Sequence, residues 1–351
     1  MRRFAFTIGL LLSFALSAAA HYVGAPVFSP TVQFFISAVA IIFVAGFLGQ
    51  ATESVAHYAG ERLGGFLNAT FGNAAELIIA IFLVKDGLFE VVKASITGSI
   101  IGNMLLVLGL SVLLGGLKFK EQRFNLKLAG HNASLMTLAV IALFIPAAFS
   151  HSLTTREIAG VSVAVSILLI AAYLLWLYFS MVSHKKELAD EVAGESEEPK
   201  WPKGRSILYL LLATAMVAFE SEWIVHTLED FSRRFGLSEL FVGAFLVAIV
   251  GNAAEHSAAV MLALKNRIGA SIEIAIGSSL QIALFVAPVL VLVSMLFGSA
   301  MDIVFTNYEL IAIGVAALIA TSISRDGSTN WYEGVLLLVV YAILGLVFFL
   351  V

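Results

Sequence analysis

Two glutamates occur in copies of one five-residue string, Gly72-Asn73-Ala74-Ala75-Glu76 and Gly251-Asn252-Ala253-Ala254-Glu255. Each copy lies inside a long apolar stretch, which predicts a carboxyl group at membrane depth. An ionisable group there costs about 3 kcal/mol on insertion scales and marks a functional site by default. Within each copy Asn and Glu are three residues apart and share a helix face. We expect cation binding and proton exchange here; the alternative is that each glutamate is protonated and hydrogen-bonded between helices.

The two copies are 179 residues apart, and the same offset relates Gly98-Ser99 to Gly277-Ser278 downstream. This register predicts a duplicated two-helix unit whose second helix supplies further oxygen atoms. Hydroxyls at these positions suit either an ion ligand or close packing between membrane helices. Buried amides need partners, which favours Asn103 and Gln281 as site residues. The candidate site residues are Glu76, Glu255, Asn73, Asn252, Ser99, Asn103, Ser278 and Gln281.

Two further acids end other apolar stretches, in Glu53-x-x-x-His57 and Glu222-x-x-x-His226. We expect each to lie near one mouth of the pathway and to pass protons or cations to the central pair. The alternative is an interfacial acid solvated by headgroups and water. His256 follows Glu255 but points about 100° away on an ideal helix. It is expected either to assist proton movement or to pair with another helix.

The oxygen-only character of these candidates indicates a hard cation. Ca²⁺ takes about 6–8 oxygen ligands at about 2.3–2.6 Å, and two carboxylates balance a divalent charge. Without the ion, burial and like charge both favour the protonated acids. Competition between H⁺ and a divalent cation at one site, coupled to alternating access, gives antiport with no covalent step and no cofactor. An intramembrane metalloenzyme would need a string such as His-Glu-x-x-His, which is missing; a cation channel is a further alternative.

Composition places these residues in a membrane protein. Of 351 residues, 60% are hydrophobic and 13% are charged, whereas soluble domains have about 45–50% apolar and about 25% charged residues. No Cys is present, which excludes a disulfide framework and a thiolate metal site. No basic patch interleaved with aromatic residues indicates nucleic-acid binding.

Eleven apolar stretches approach or exceed the roughly 20 residues that span a bilayer. They predict an all-α polytopic membrane protein, because the runs are too long and too uniform for transmembrane strands. Arg2-Arg3 and the small residues near position 20 also fit a cleaved signal peptide, but we expect the first helix to be retained. The predicted spans lie near 4–22, 31–56, 65–85, 91–115, 130–149, 157–181, 205–227, 237–263, 268–297, 303–323 and 331–351.

Lys and Arg set the expected orientation. With the N-terminus inside, fifteen of them fall on the inner side and five on the outer side, which predicts a cytoplasmic N-terminus and an external C-terminus. The loop at Lys85-Asp86-Gly87 is then outside and the loop at Lys265-Asn266-Arg267 is inside. The two units therefore run in opposite directions, as in transporters built from inverted repeats around a midplane site.

This topology divides the chain into four parts. Residues 1–30 hold the first helix and an external loop, and residues 31–183 form a first five-helix repeat. Residues 184–204 form an acidic cytoplasmic linker, and residues 205–351 form a second five-helix repeat. The linker is expected to be a solvated connection; the alternative is regulation through weak cation binding.

At the repeated strings the chain resembles the cation/proton exchanger family, the Ca²⁺/H⁺ antiporters of the cation/Ca²⁺ exchanger superfamily. The resemblance extends to Gly98-Ser99-Ile100-Ile101-Gly102-Asn103 and to Gly277-Ser278-Ser279-Leu280-Gln281-Ile282-Ala283. It implies an eleven-helix exchanger, often a homo-oligomer, that extrudes or sequesters Ca²⁺ against H⁺. The small size of the chain favours the cytoplasmic membrane of a prokaryote.

The same resemblance implies roles for individual residues. Glu76 and Glu255 would carry Ca²⁺ and protons, the other candidates would line the pathway, and the helices of Glu53 and Glu222 would gate it. The alternative on this scaffold is exchange of Na⁺ for Ca²⁺, or of another divalent ion such as Mn²⁺. Na⁺/Ca²⁺ exchangers are richer in Thr and Pro around the acids, a pattern that this chain lacks.

Overall fold

The structure is a computed structural model that describes residues 2–24, 27–184, 199–298 and 300–351. Most of the predicted acidic linker, residues 185–198, lies outside the described residues. The chain is an all-α polytopic membrane protein with one small two-stranded sheet. The helices are α1 Arg2–Val23, α2 Pro30–Phe71, α3 Ala74–Lys85, α4 Phe89–Ile101, α5 Leu108–Phe119, α6 Leu126–Phe149, α7 Thr155–Tyr178, α8 Lys203–Phe235, α9 Ala248–Ala263, α10 Ile268–Gln281, α11 Ala287–Ser294, α12 Asn307–Ile323 and α13 Trp331–Leu350.

Four π-helical segments occur in the described residues: Phe179–Ser183 extends α7, and the other three lie within longer helical runs. Gly102–Val107 links α4 to α5, Val242–Val247 precedes α9, and Ile282–Val286 links α10 to α11. Gly102–Val107 and Ile282–Val286 occupy matching positions after the two Gly-Ser pairs. Single π turns within α-helices are frequent at functional sites.

In the described part of the chain, nine helical runs are long and apolar enough to cross a bilayer by length and composition. The predicted third and tenth spans are shorter. The tenth is α12, with 17 residues, and the third is divided between the end of α2 and the 12 residues of α3.

The 42 residues of α2 cover the second predicted span and the first part of the third. A straight helix of that length would measure about 63 Å, about twice the hydrocarbon core of a bilayer. A Cβ added to Gly64 would overlap the carbonyl oxygen of Ala56. Eight residues would separate these positions by about 12 Å on a straight helix. The chain therefore reverses between Ala56 and Gly64, and its continuation runs back toward α3.

Contacts between loops define two sides of the molecule. Strands Glu121–Arg123 and Ser328–Asn330 pair in an antiparallel ribbon, and we call their side the ribbon side. The loop that follows α9 lies there too, because Lys118 Nζ donates a hydrogen bond of 2.7 Å to the Leu264 carbonyl and Gln122 Nε2 donates one of 3.0 Å to that of Ala263.

The opposite side, called the far side, holds the loop that follows α3. That loop leads directly into α4, and the run through α5 ends at the ribbon. On the far side Lys93 Nζ pairs with Glu90 Oε1 at 2.7 Å and with Asp302 Oδ1 at 3.5 Å. The loops after Glu76 and Glu255 therefore lie on opposite sides, as the inverted arrangement requires.

Helices α1, α2 and α8 pack side by side around a buried acid, Glu220. Ser17 Oγ in α1 donates a hydrogen bond of 2.7 Å to Glu220 Oε2, and it lies 2.8 Å from Ser37 Oγ in α2. Glu220 is fully buried. Sequence analysis selected Glu222 instead, which is exposed. The hydrogen bond to Glu220 thus connects α1 to α8, and the contact between the two serines connects α1 to α2.

Replacing Glu220 with Ala is expected to lower the free energy of unfolding by about 2 kcal/mol, because the hydroxyl of buried Ser17 loses its acceptor. Thermal unfolding of the purified protein in detergent checks this. Glu222→Ala, at an exposed acid in the same helix, is the control and should change stability by no more than about 0.5 kcal/mol. Equal midpoints for the two variants would contradict the assignment.

Candidate ion-binding site

The two glutamates of the repeated strings lie where α3, α4, α9 and α10 meet. In the first copy the helix breaks at Gly72-Asn73 and restarts as α3, with Glu76 in its first turn. The partial positive charge of a helix N-terminus favours an anion at that position. In the second copy the string is part of the unbroken helix α9. The sequence repeats, but the backbone of the two copies differs.

Glu76 is held by both halves of the chain. Its Oε1 accepts hydrogen bonds from Ser99 Oγ in α4 and from Asn252 Nδ2 in α9. Asn252 Nδ2 also lies 3.0 Å from Ser99 Oγ. A Cβ added to Gly251 would be 3.1 Å from Glu76 Cγ, so glycine permits this close approach. The asparagine of the second string thus donates a hydrogen bond to the glutamate of the first.

Glu255 has the matching partner in its own half. Ser278 Oγ donates a hydrogen bond of 2.7 Å to Glu255 Oε2, and Ser278 is the counterpart of Ser99 in the register of 179 residues. Glu255 lies one helical turn after Gly251 on the same face of α9, and Gly251 is the residue that packs against Glu76. The structure therefore brings the two predicted acids into one site, each with a serine from the following helix.

The predicted amides take two different positions. Asn73 Nδ2 donates a hydrogen bond of 2.9 Å to Gln281 Oε1, which links the two repeats beside the glutamates. Asn103 Oδ1 lies 3.1 Å from His256 Nε2. His256 in α9 thus contacts the segment that joins α4 to α5.

Three buried acceptor atoms at this site have no hydrogen-bond partner: Asn73 Oδ1, Asn252 Oδ1 and Glu76 Oε2. A buried acceptor without a donor costs about 1–3 kcal/mol. A hard cation satisfies such oxygens directly. Among the residues that the structure describes, no three His, Asp or Glu side chains come together. The oxygens here come from two glutamates with amides and hydroxyls.

Glu53 and Glu222 lie outside this cluster. Glu53 is exposed on the ribbon side, with Oε2 3.9 Å from Lys200 Nζ. Glu222 is exposed on α8. The adjacent Trp223 stacks on His21, in the last turn of α1, with ring centroids 5.3 Å apart. The structure places one acid toward each side but neither beside the central pair.

On the far side of the site the helices are closed against each other. Val91, Ala94 and Gly98 are buried on one face of α4. A Cβ added to Gly98 would overlap the backbone of Ala244, and one added to Gly243 would be 2.6 Å from Ala94 Cβ. The backbones of α4 and of the segment Val242–Val247 are therefore in close contact here.

The matching face of α10, on the ribbon side, is open. Its residues Ala270, Glu273, Ile274 and Gly277 are all partly exposed. A Cβ added to Gly277, the counterpart of Gly98, would meet nothing within 4 Å. The face of α10 toward the ribbon side is therefore less covered than the matching face of α4 toward the far side.

Sequence reasoning missed Glu273, as it missed Glu220. Both are acids inside apolar stretches, and that is the signal by which the central pair was found. Neither belongs to a repeated string, because the register places Ala94 and Ile41 at the matching positions. The repeat alone therefore predicts neither of these acids.

Comparison with known proteins identifies close relatives. The model of the family described as sodium/calcium exchanger protein matches residues 29–182 and 205–350. The Ca²⁺/H⁺ antiporter ChaA of Bacillus subtilis (strain 168) is 48% identical over 323 residues, covering 91% of this chain and 92% of that protein. The Ca²⁺/H⁺ antiporter of Aphanothece halophytica is 45% identical over 358 residues, covering 97% and 95%.

Solved structures give the same result for the fold. The structure of native YfkE has a TM-score of 0.86 and 43% identity, covering 99% of this chain and 100% of that one. The H⁺/Ca²⁺ exchanger CAX has a TM-score of 0.76 at 13% identity, covering 99% and 92%. At that identity the second likeness concerns the fold alone.

Proposed function

Since this chain belongs to the sodium/calcium exchanger protein family, we propose that it exchanges Ca²⁺ for H⁺ across a membrane. Relatives that cover nearly its whole length are Ca²⁺/H⁺ antiporters. The observation that carries the proposal is the shared site, in which Asn252 of the second string holds Glu76 of the first. This contact joins two oppositely oriented units at one pair of acids.

The chemistry follows from charge. Two carboxylates neutralise a divalent cation, and the unpaired oxygens of Asn73 and Asn252 extend the ligand set. When the cation leaves, two negative charges close together in a low dielectric are unfavourable, so protons replace it. A site that is always neutralised, by the metal ion or by protons, can move between the two sides. Exchange then needs no cofactor and no catalytic step.

We assign the remaining candidates by position. Ser99, Asn103, Ser278 and Gln281 line the pathway beside the two acids and two asparagines. Glu53 and Glu222 lie toward opposite sides of the molecule. We assign to these two acids and to His256 the transfer of protons or cations to the central pair. The two sets of five helices on either side of the linker act as the repeats that alternate access.

We assign the ribbon side to the cytoplasm, because fifteen of the twenty Lys and Arg residues belong to that side on the predicted topology. The protein then lies in the cytoplasmic membrane with its N-terminus inside and its C-terminus outside. Because the less covered face of α10 lies toward that side, we infer that in this conformation the site faces the cytoplasm, the side from which an exporter loads Ca²⁺.

Transport into inverted membrane vesicles tests the function. We expect Ca²⁺ uptake that is driven by a pH gradient and does not change when Na⁺ is added or removed. Uptake that follows the Na⁺ gradient, or a preference for Mn²⁺ over Ca²⁺, would instead favour the alternative exchangers on this scaffold. Vesicles without the protein provide the background.

Glu53→Gln is expected to slow turnover several-fold with little change in Ca²⁺ affinity, because Glu53 lies at the mouth and not in the central cluster. The maximal rate and the KM for Ca²⁺ in the same vesicles check this. Glu121→Gln removes an exposed acid from the ribbon on the same side and should leave both values unchanged. A higher KM for Glu53→Gln at an unchanged maximal rate would count against a relay or gating role.

A further inference from the structure

Glu273 lies on the less covered face of α10, in the half of that helix nearer the ribbon side. Asn132 Nδ2 in α6 donates a hydrogen bond of 3.0 Å to Glu273 Oε1. Asn132 is 3% exposed, whereas Glu273 is partly exposed. A buried amide thus holds a carboxylate at the edge of the opening.

Residues on one face of α10 connect this carboxylate to the central site. Glu273, Gly277 and Gln281 follow one another at intervals of four residues and share that face. The space at Gly277 is open, since an added Cβ would meet nothing within 4 Å. Gln281 accepts the hydrogen bond from Asn73 of the first string. Eight residues of helix place Glu273 about 12 Å from Gln281 along the axis.

The matching position of the first repeat carries no acid. In the register of 179 residues the counterpart of Glu273 is Ala94. Ala94 is buried in the closed far-side contact, where an added Cβ on Gly243 would lie 2.6 Å from its Cβ. The two repeats therefore differ at this position by one carboxylate.

We propose that Glu273, positioned by Asn132, is a binding station for the divalent cation on its way between the ribbon side and the central site. One carboxylate leaves the ion largely hydrated, so the affinity of the station for the cation is low and the cation dissociates from it rapidly. An acid in a cleft with low-dielectric walls raises the local concentration of cations. The station therefore affects only cations that enter or leave on the ribbon side. This inference rests on the proposed exchange of a divalent cation.

Initial rates of Ca²⁺ transport in vesicles of both orientations test the station. With the ribbon side facing the Ca²⁺ solution, Glu273→Gln is expected to raise the KM about tenfold at low ionic strength, where a focusing charge acts most strongly. The maximal rate should be unchanged, because saturating Ca²⁺ makes the station unnecessary. With the far side facing the solution, the KM should stay at the wild-type value.

Two controls separate charge from structure. Glu239→Gln removes an exposed acid at the far-side end of the helical run through α9 and should leave the ribbon-side KM unchanged. Glu273→Asp keeps the charge and should restore most of the affinity, and Glu273→Ala, which reproduces the residue of the first repeat, should behave like Glu273→Gln.

A KM that does not change, or that changes equally from both sides, would overturn the station. A lower maximal rate at an unchanged KM would also overturn it, because that result indicates a structural link between α6 and α10. If the wild-type protein does not exchange Ca²⁺ for H⁺, the proposed function itself fails. The wild-type measurement therefore separates the two failures.

Discussion

Replacing Glu76 or Glu255 with Gln is expected to lower Ca²⁺/H⁺ exchange at least about 100-fold while leaving the protein folded. Loss of a partner that only orients a metal ligand already costs about 10- to 100-fold in affinity or activity, and these variants remove a ligand's charge. Gln keeps the shape of the side chain and can still accept the hydrogen bond from Ser99 or Ser278. It cannot titrate, so the exchange of the cation for protons is lost.

Reconstituted protein with Ca²⁺ and pH indicators measures both fluxes at once. Thermal unfolding of each variant shows whether the fold is kept, and Glu121→Gln is the control for removal of an exposed acid. Proton-coupled Ca²⁺ transport at a rate near that of the wild type, in either Gln variant, would contradict the role of the pair.

Two glycines in matching positions are expected to shift the conformation in opposite directions. Gly98→Ala places a Cβ against the backbone of Ala244 and disfavours closure of the far side. Gly277→Ala fits the present conformation and obstructs the equivalent closure on the ribbon side. Overpacking costs about 1–3 kcal/mol, which corresponds to about a 5- to 150-fold change in a conformational equilibrium. Both variants should slow exchange.

A single cysteine measures this shift without interference, because the chain contains no Cys. With Ile274→Cys on the open face of α10, Gly277→Ala should maintain or increase labelling by a hydrophilic thiol reagent, and Gly98→Ala should decrease it. Gly160→Ala on α7, where an added Cβ also meets nothing within 4 Å, is the control. Equal changes in labelling for both gate variants would contradict the assignment of open and closed sides.

Much of this arrangement could be predicted from the sequence, because a repeat fixes pairs of positions without a structure. The string around Glu76 and its copy around Glu255 predicted both acids, and the offset predicted the serines that bind them. The positions of Lys and Arg predicted that the loops after the two strings lie on opposite sides. The packing of those loops against other elements agrees with this.

Other features depend on packing that two nearly equal copies cannot specify. The sequence does not indicate which side is open, since Gly98 and Gly277 occur in the same motif and only one of them is covered. Asn103 and Gln281 were treated as equivalent, but they are one position out of register, and they bind His256 and Asn73 respectively.

The acids of α8 illustrate the same limit. Glu220 and Glu222 are two residues apart and point about 200° from each other on an ideal helix. Local sequence does not decide which of them faces the neighbouring helices. Only the position of Ser17 and Ser37 beside α8 identifies Glu220 as the buried acid.

The central claim is that Ca²⁺ and protons occupy the same two carboxyl groups in turn. Calorimetry of Ca²⁺ binding to the purified protein, repeated in buffers that differ in ionisation enthalpy, counts the protons released for each ion bound. We expect proton release by the wild-type protein at a pH where the empty site is protonated, and a clear reduction in Glu76→Gln and Glu255→Gln. Binding of Ca²⁺ without release of protons, or release that is the same in all three proteins, would contradict the account.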